Sequence, residues 1–137
     1  MASPSSPLTL FGLAQRGMSA QLVRMNAAAS NLANAGTVSG SEADSYRPIR
    51  AVFSEDLDRA TGLATVRVSA IQRDNASPVK QHNPDHPLAD AEGNVWTSPV
   101  DENAEMVEMM ESARQYQNLV EALGTAKELM LETMRLK

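Results

Sequence analysis

The feature that most constrains this chain is a seven-residue apolar repeat near its N-terminus. Between Phe11 and Gly36, every seventh position carries a large apolar side chain, and a second, offset row is mostly alanine. The first row is Phe11, Met18, Met25 and Leu32, and the second is Ala14, Gln21, Ala28 and Ala35. A strict seven-residue repeat gives a helix a narrow apolar face, which a partner helix covers better than a broad globular core does.

The ends of this first helix are predicted from its flanking residues. Ser6 followed by Pro7 is a start signal, with serine as the N-cap and proline at the first helical position. Gly36 supplies a residue that tolerates the left-handed conformation, so we expect the helix to run to Ala35. At 1.5 Å per residue it is about 40 Å long. Residues 1–6 are rich in serine and proline and are predicted to be flexible.

A second long helix is predicted after Pro99. Asp101 is the expected N-cap, acidic residues occupy the first turn, and basic residues stand at the other end, as the helix dipole favours. Two seven-residue rows recur here as well. One row is Met109, Tyr116, Leu123 and Met130, and the other is Met106, Ala113, Val120 and Met134, interrupted by Lys127. This helix is therefore a candidate partner for the first.

The middle of the chain changes to a period of two. The segments Ile49 to Phe53 and Val66 to Ala70 alternate between apolar and polar side chains, which predicts two half-buried strands. The polar connection between them contains Gly62, so we expect a hairpin with a longer loop. Shorter extended pieces are expected at residues 78–81 and 95–97, since repeated prolines keep this region out of helix.

The predicted fold is mainly α with a small β insertion. Long N- and C-terminal helices form a coiled coil, and a short β-hairpin region lies between them. In terms of domains, residues 1–6 are a flexible N-terminus, 7–36 and 100–137 form the coiled-coil domain, and 37–99 are a loop and a small β-rich insertion.

Composition excludes several classes of function. The 12 basic and 17 acidic residues give a net charge of −5, which disfavours nucleic acid as a partner because phosphate binding needs a dense basic face. Cysteine is absent, so disulfides and thiol catalysis are excluded. No apolar run reaches the roughly 20 residues of a membrane span. The N-terminus lacks the pattern of a cleaved secretory signal, so we expect a protein that stays in the cytoplasm or is exported without one.

The candidate chemical groups do not form a convincing site. Two histidines and nearby aspartates have the spacing of metal ligands, but that spacing presents both histidines on one face only in a helix, and intervening prolines prevent a helix. These residues are His82, Asp85, His86 and Asp90. No nucleophile elbow, phosphate-binding glycine loop or catalytic triad pattern is present. We therefore expect no metal, no cofactor and no catalytic residues.

Three asparagines near the end of the first helix remain ambiguous. Asn26, Asn31 and Asn34 stand in an alanine-rich stretch, although asparagine is a mediocre helix former. One interpretation is that they face solvent at a fraying helix end. The other is that their amides hydrogen-bond across a close helix contact that the small alanines allow. Periodicity alone favours neither.

The same stretch resembles a known family signature. The bacterial flagellar axial proteins, the rod and hook family, share an A-x-N-L/I-A-N core, and here it reads Ala29, Asn31, Leu32, Ala33 and Asn34. Further similar motifs are Tyr46 and Arg47, the turn HNPDHPLADAEGNV at 82–95, and the opening of the last helix at 99–107. The pattern departs at Asn94 and at Gln117. The resemblance covers nearly the whole chain in order.

The resemblance implies a structural role without enzymatic activity. Members of the family build the rod, a hollow helical drive shaft that transmits torque, through their terminal helices. Expected partners are other rod proteins, copies of the same chain and the flagellar export apparatus, with the membrane ring as a further candidate. The implied location is the flagellar basal body in the periplasmic space, reached without a cleaved signal peptide.

The predicted subunit-interface residues follow from the first rows and the signature. They are Phe11, Met18, Met25, Asn31, Leu32, Asn34, Met109, Tyr116, Leu123 and Met130. The most favoured assignment is a proximal rod subunit. The alternatives are another rod-family paralogue and a cytoplasmic coiled-coil adaptor that binds one partner helix reversibly.

Overall fold

The computed structural model describes residues 7–59 and 62–136, and these residues form two helices and five strands. The helices stand at the two ends of the chain, and all five strands lie between them. In chain order the elements are α1 (Pro7–Ala33), β1 (Val38–Ser39), β2 (Ile49–Asp58), β3 (Leu63–Arg73), β4 (Val79–His82), β5 (Asn94–Thr97) and α2 (Glu102–Arg135).

The two helices pack against each other in antiparallel directions. Arg24 of α1 pairs with Glu108 of α2 at 2.7 Å, and one heptad earlier Gly17 lies against the side chain of Leu119. This register brings Met25 to the level of Met109, Met18 to Tyr116 and Phe11 to Leu123. Parts of the two seven-residue rows therefore lie at matching levels of the two helices.

A long two-stranded ribbon lies against another part of α1. β2 and β3 pair antiparallel from Ile49 opposite Arg73 to Asp58 opposite Leu63, with a register shift between Val52 and Phe53. The Arg16 guanidinium on α1 donates to the Thr65 hydroxyl at 2.7 Å, which fastens the ribbon to the helix. The helix is therefore covered by two different elements.

A three-stranded sheet joins the two helices near the end of α1. Its strand order is β1-β5-β4, and both pairings are antiparallel. Val95 of β5 is buried, with 1% of its surface exposed. The Ser98 amide donates to the Thr37 carbonyl at 3.1 Å, so the chain leaving this sheet is held beside the end of α1 before α2 begins.

The predicted fold class is wrong. Helices make up 47% of the structure and strands about 24%, in two separate sheets, so this is not a terminal coiled coil with a small insertion. The ribbon strands are 10 and 11 residues long, whereas a short hairpin was expected. Glu55 and Asp56 break the apolar alternation that marks a strand, but the backbone ladder continues past them.

The element boundaries agree with the sequence at most points. α1 begins at Pro7 as predicted, and Asp101 caps α2 by accepting from the amides of Asn103 and Ala104 at 3.0 and 3.3 Å. The hairpin pairing and the two shorter strands are also confirmed. The expectations for residues 1–6, including the Ser6 cap, and for Lys137 lie outside the described residues.

The predicted end of α1 is wrong in detail. The helix stops at Ala33, two residues early, and Gly36 is not the left-handed residue, since among the described glycines only Gly62 and Gly93 have positive φ. The chain turns instead at Asn34, whose carbonyl accepts from the Thr37 amide at 3.2 Å and the Thr37 hydroxyl at 2.8 Å. A threonine that bonds back to the helix end removes the need for a glycine there.

Candidate assembly surfaces

The signature asparagine on α1 anchors the base of the ribbon. Asn31 is fully buried, and its Nδ2 donates to the Ile49 carbonyl at 2.9 Å while its Oδ1 accepts from the Ile49 amide at 2.8 Å. The Tyr46 hydroxyl also donates to Oδ1 at 2.8 Å. Since buried amides are costly unless paired, this network fixes the position of β2 on the helix.

The two interpretations of the asparagine cluster both miss this arrangement. Asn26 faces solvent, but Asn31 is neither frayed nor directed across a helix pair, because it bonds to the strand that follows. Asn34 caps its own helix, with its Nδ2 donating to the Ser30 carbonyl at 2.8 Å. The amides of Asn31 and Asn34 therefore form bonds within this subunit.

An ion pair joins Arg50 of β2, the residue after Ile49, to Glu105 of α2. The Arg50 guanidinium lies 2.5 Å from Oε1 of Glu105, whose side chain is 1% exposed. The hydrogen bond to Glu105 raises the pKa of Arg50 above its ordinary value, although burial acts in the opposite direction. Oε2 of Glu105 is buried and has no hydrogen-bond partner. Arg50 is thus the group that compensates a buried carboxylate.

A second ion pair crosses the contact between the helices. Arg24 donates through Nε to Oε1 of Glu108 at 2.8 Å and through Nη1 to the Gln21 side chain at 3.0 Å. Gln21 is the polar interruption of the alanine row, and its amide oxygen orients the guanidinium toward α2. The pair fixes the register of the two helices, because a one-turn slide would separate it.

The predicted interface residues differ in how deeply they are buried. Asn31 is buried inside the chain, and the other members, which include one seven-residue row of each helix, are half-buried. These half-buried rows are Phe11, Met18, Met25 and Leu32 on α1 and Met109, Tyr116, Leu123 and Met130 on α2. Whether any of them also contacts a neighbouring subunit stays a prediction.

The second apolar row of α2 is largely exposed, as are several apolar side chains on its other faces. Met106, Val120 and Met134 are 50%, 45% and 66% exposed, while the second row of α1 is covered, with Ala28 at 1%. Leu131 adjoins the same face and is also exposed. Large exposed apolar side chains along one helix face are typical of a surface that packs against another chain.

The turn at residues 82–95, which carries both histidines, is held by hydrogen bonds to its own backbone. His86 Nδ1 accepts from the Leu88 amide at 3.1 Å, and Asp90 accepts from the amides of Glu92 and Asn94. Gly93 closes the turn with φ of +78°. Among the described residues, no group of three or more metal-ligating side chains comes together. The side chains of this turn bond to its own backbone.

Two features that matter for the architecture were missed from the sequence. The pairs Arg50–Glu105 and Arg24–Glu108 join residues far apart in the chain, and no local pattern links such residues. Tyr46 was noted only as part of a motif, and its bond to Asn31 explains its place there.

Two family models match the ends of the chain. Residues 13–39 match the model described as flagella basal body rod protein. Residues 91–136 match the model described as flagellar basal body rod FlgEFG protein C-terminal. The first range contains Asn31, although not its partners Tyr46 and Ile49, and the second contains α2.

Curated relatives extend this match across almost the whole chain. The flagellar basal-body rod protein FlgC of Salmonella typhimurium is 41% identical over 131 residues, which is 94% of this chain and 96% of the relative. The chain belongs to the FlgC family of flagellar basal-body rod proteins. FlgC of Yersinia enterocolitica is 40% identical over 131 residues, covering 96% and 98% of the two chains. FlgC of Agrobacterium fabrum is 29% identical over 125 residues, covering 90% of each.

Membership in the FlgC family confirms the resemblance to the rod and hook proteins. It also agrees with the assignment to FlgC rather than to a paralogue. Within the described residues, neither helix is both long enough and apolar enough to cross a bilayer. The chain that carries the exposed row of α2 is thus a member of a family of flagellar rod proteins.

Proposed function

We infer that this chain is a structural subunit of the flagellar basal-body rod. The observation that carries this conclusion is the full-length similarity to FlgC, at 41% identity over 94% of the chain. The family names describe a structural protein, and we propose that the chain has no catalytic role and needs no cofactor. A reversible cytoplasmic adaptor receives no comparable support.

The exposed apolar row of α2 supports assembly through the helices. One row of α2 is used against α1 inside the subunit, and the other, with Met106, Val120 and Met134, is free to meet a neighbour. A head-to-tail contact that does not close on itself produces a helical filament. We propose that the neighbours are further copies of this chain and other rod proteins.

Torque transmission is proposed to follow from how the elements are joined. α1 is bonded to the ribbon through Asn31 and to α2 through Arg24, so a force on one of these elements is passed to the others. Packed helices resist twisting because many hydrogen bonds and side-chain contacts must break together. Such a subunit suits a drive shaft.

The proposal also covers where the chain lies in the basal body and how it is exported. The FlgC relatives place the protein in the basal body, and we propose that it lies in the periplasmic part of the rod, next to the membrane ring. We also propose that it is a substrate of the flagellar export apparatus. The family resemblance supports both points.

Isolation of basal bodies tests the function. In cells whose own copy carries a small internal tag in the exposed β4 region, for example at Gln81, the chain should copurify with rods. Deletion should abolish swimming and leave no rod beyond the membrane ring. A tagged chain that remains in the cytosol with one partner, in cells that still swim after deletion, would support the adaptor alternative instead.

A further inference from the structure

A groove runs between α1 and β3 of the ribbon. It has a volume of about 710 Å³. Its floor on the helix side is formed by the small residues Gly12, Ser19 and Ala20, and its wall on the ribbon side by Val66 and Val68. Small residues on a helix allow another helix to approach closely, and valines give such a groove an apolar side.

The outer stripe of α2, which we define as Val120, Leu131 and Met134, has the shape to fill such a groove. At 100° per residue these three side chains fall within about 60° of one another on the helix. They are 45%, 44% and 66% exposed. A large part of each side chain thus remains exposed, so each subunit carries both an open groove and a partly exposed apolar stripe.

The charges beside the groove and the stripe are complementary. Glu121 and Glu128 flank the stripe on one side, and neither has a basic partner within 4 Å among the described residues. Arg67 lines the groove and is exposed, with no carboxylate partner in the same part of the chain. Asp56 also lines the groove, where Arg16 pairs with it at 3.5 Å, and Lys127 lies within the stripe. The complementary charges are therefore Glu121 and Glu128 beside the stripe and Arg67 in the groove.

We propose that the outer stripe of α2 in one copy docks into the groove between α1 and β3 of the next copy. The inference rests on the proposed function as a rod subunit and names the two surfaces that meet. Because groove and stripe are different surfaces of one chain, each copy donates one and accepts one, and the contact repeats without closing. The ribbon is then part of the interface and not only a cover for its own helix.

Site-specific crosslinking in isolated basal bodies tests this pairing. The chain has no cysteine, so single cysteines can be introduced at Val66 in the groove and at Leu131 in the stripe, in two separately tagged copies expressed together. A crosslink between the two tags can arise only between different copies. We expect a dimer from Val66→Cys with Leu131→Cys when a short bis-maleimide is added.

Leu129 provides the matched control on the same helix. It is 60% exposed but projects from the opposite face, since two residues along a helix differ by about 200°. Leu129→Cys should give at least tenfold less dimer with Val66→Cys. Equal yields from the two positions, or a crosslink from Val66→Cys to a different protein only, would overturn the pairing while leaving the rod function intact. Absence of the wild-type chain from basal bodies would overturn both.

A charge exchange gives a second readout. Arg67→Glu should lower the crosslinking yield by about two- to fivefold, the range that exposed ion pairs allow. Combining it with Glu121→Lys and Glu128→Lys in the partner copy should restore the yield. A yield unchanged by Arg67→Glu, or one that the exchange lowers further, would contradict the proposed orientation.

Discussion

Asn31 and Ile49 are joined by two hydrogen bonds, one in each direction. The side-chain amide of Asn31 accepts from the Ile49 N–H at 2.8 Å and donates to the Ile49 carbonyl at 2.9 Å. A helix residue thus offers the first residue of β2 the donor and acceptor that a neighbouring strand would offer. Only an amide side chain, in Asn or Gln, presents both groups on one planar end.

Replacement of Asn31 by aspartate should destabilise the subunit strongly. The carboxylate retains the acceptor but loses the donor to Ile49, and it is buried without a cation, so we expect a loss of about 2–4 kcal/mol in the free energy of unfolding. Urea titration followed by circular dichroism measures it. Asn26→Asp, on the exposed face of the same helix, should change stability by less than about 0.5 kcal/mol. Similar losses in both variants would contradict the role of the network.

Removal of Arg50 should cost more than removal of the whole ion pair. Arg50→Met leaves the buried Glu105 carboxylate without its cation, and we expect a loss of about 2–3 kcal/mol, at the low end for such pairs because Arg50 is 46% exposed. The double variant Arg50→Met with Glu105→Met should recover at least half of it. Arg16→Met, which removes an exposed pair, should cost less than about 1 kcal/mol. A double variant less stable than Arg50→Met would refute this account.

The helix contact should be sensitive at Gly17 and tolerant at Gly124. A Cβ at Gly17 would lie 3.1 Å from Leu119 Cδ1, whereas one at Gly124 meets nothing within 4 Å. Gly17→Ile should therefore push the helices apart and cost about 1–3 kcal/mol. Gly124→Ala should stabilise the isolated subunit by about 0.5–1 kcal/mol. Thermal unfolding of the monomers distinguishes the two, and a stabilising Gly17→Ile would show that α2 does not lie against α1 there.

Charge in the helix contact should prevent rod assembly. Leu123→Asp places a carboxylate in the half-buried row of α2, with an expected loss of about 2–4 kcal/mol and no swimming. Leu32→Asp, in the half-buried row of α1, should have the same effect. Leu129→Asp, on the exposed opposite face of α2, is the control and should leave motility near normal. Soft-agar swimming and basal-body isolation provide the measurements. Normal rods built from Leu123→Asp chains would show that this row has no part in assembly.

The sequence predicts the elements of this protein better than their arrangement. Helix starts and strand positions depend on local chemistry, so Pro7, Asp101 and the alternating segments mark them correctly. The length of the ribbon does not follow from alternation, because Glu55 and Asp56 are tolerated on a strand whose outer face meets solvent. A seven-residue repeat shows that α1 needs a partner, but it does not show that a ribbon also covers the helix.

Of the residues that join the elements, the sequence indicated the asparagines but not Glu105. The A-x-N-L-A-N signature pointed to Asn31 and Asn34, yet it could not show that Asn31 bonds to a strand 18 residues later. Glu105 reads as an acidic residue in the first turn of a helix, which is ordinarily exposed. Its burial depends on the ribbon base lying above it, a contact between distant parts of the chain that no local pattern encodes.

Ile49 and Arg50 are neighbours in β2, yet one is bonded to α1 and the other to α2. Two adjacent residues of β2 therefore bring the ribbon base into contact with both helices. A load applied to the ribbon reaches α1 at Asn31 and, nearer the tip, at Arg16, and it reaches α2 at Glu105. Shearing one helix past the other would strain both sets of bonds at the ribbon base at once, so the base acts as a joint between three elements.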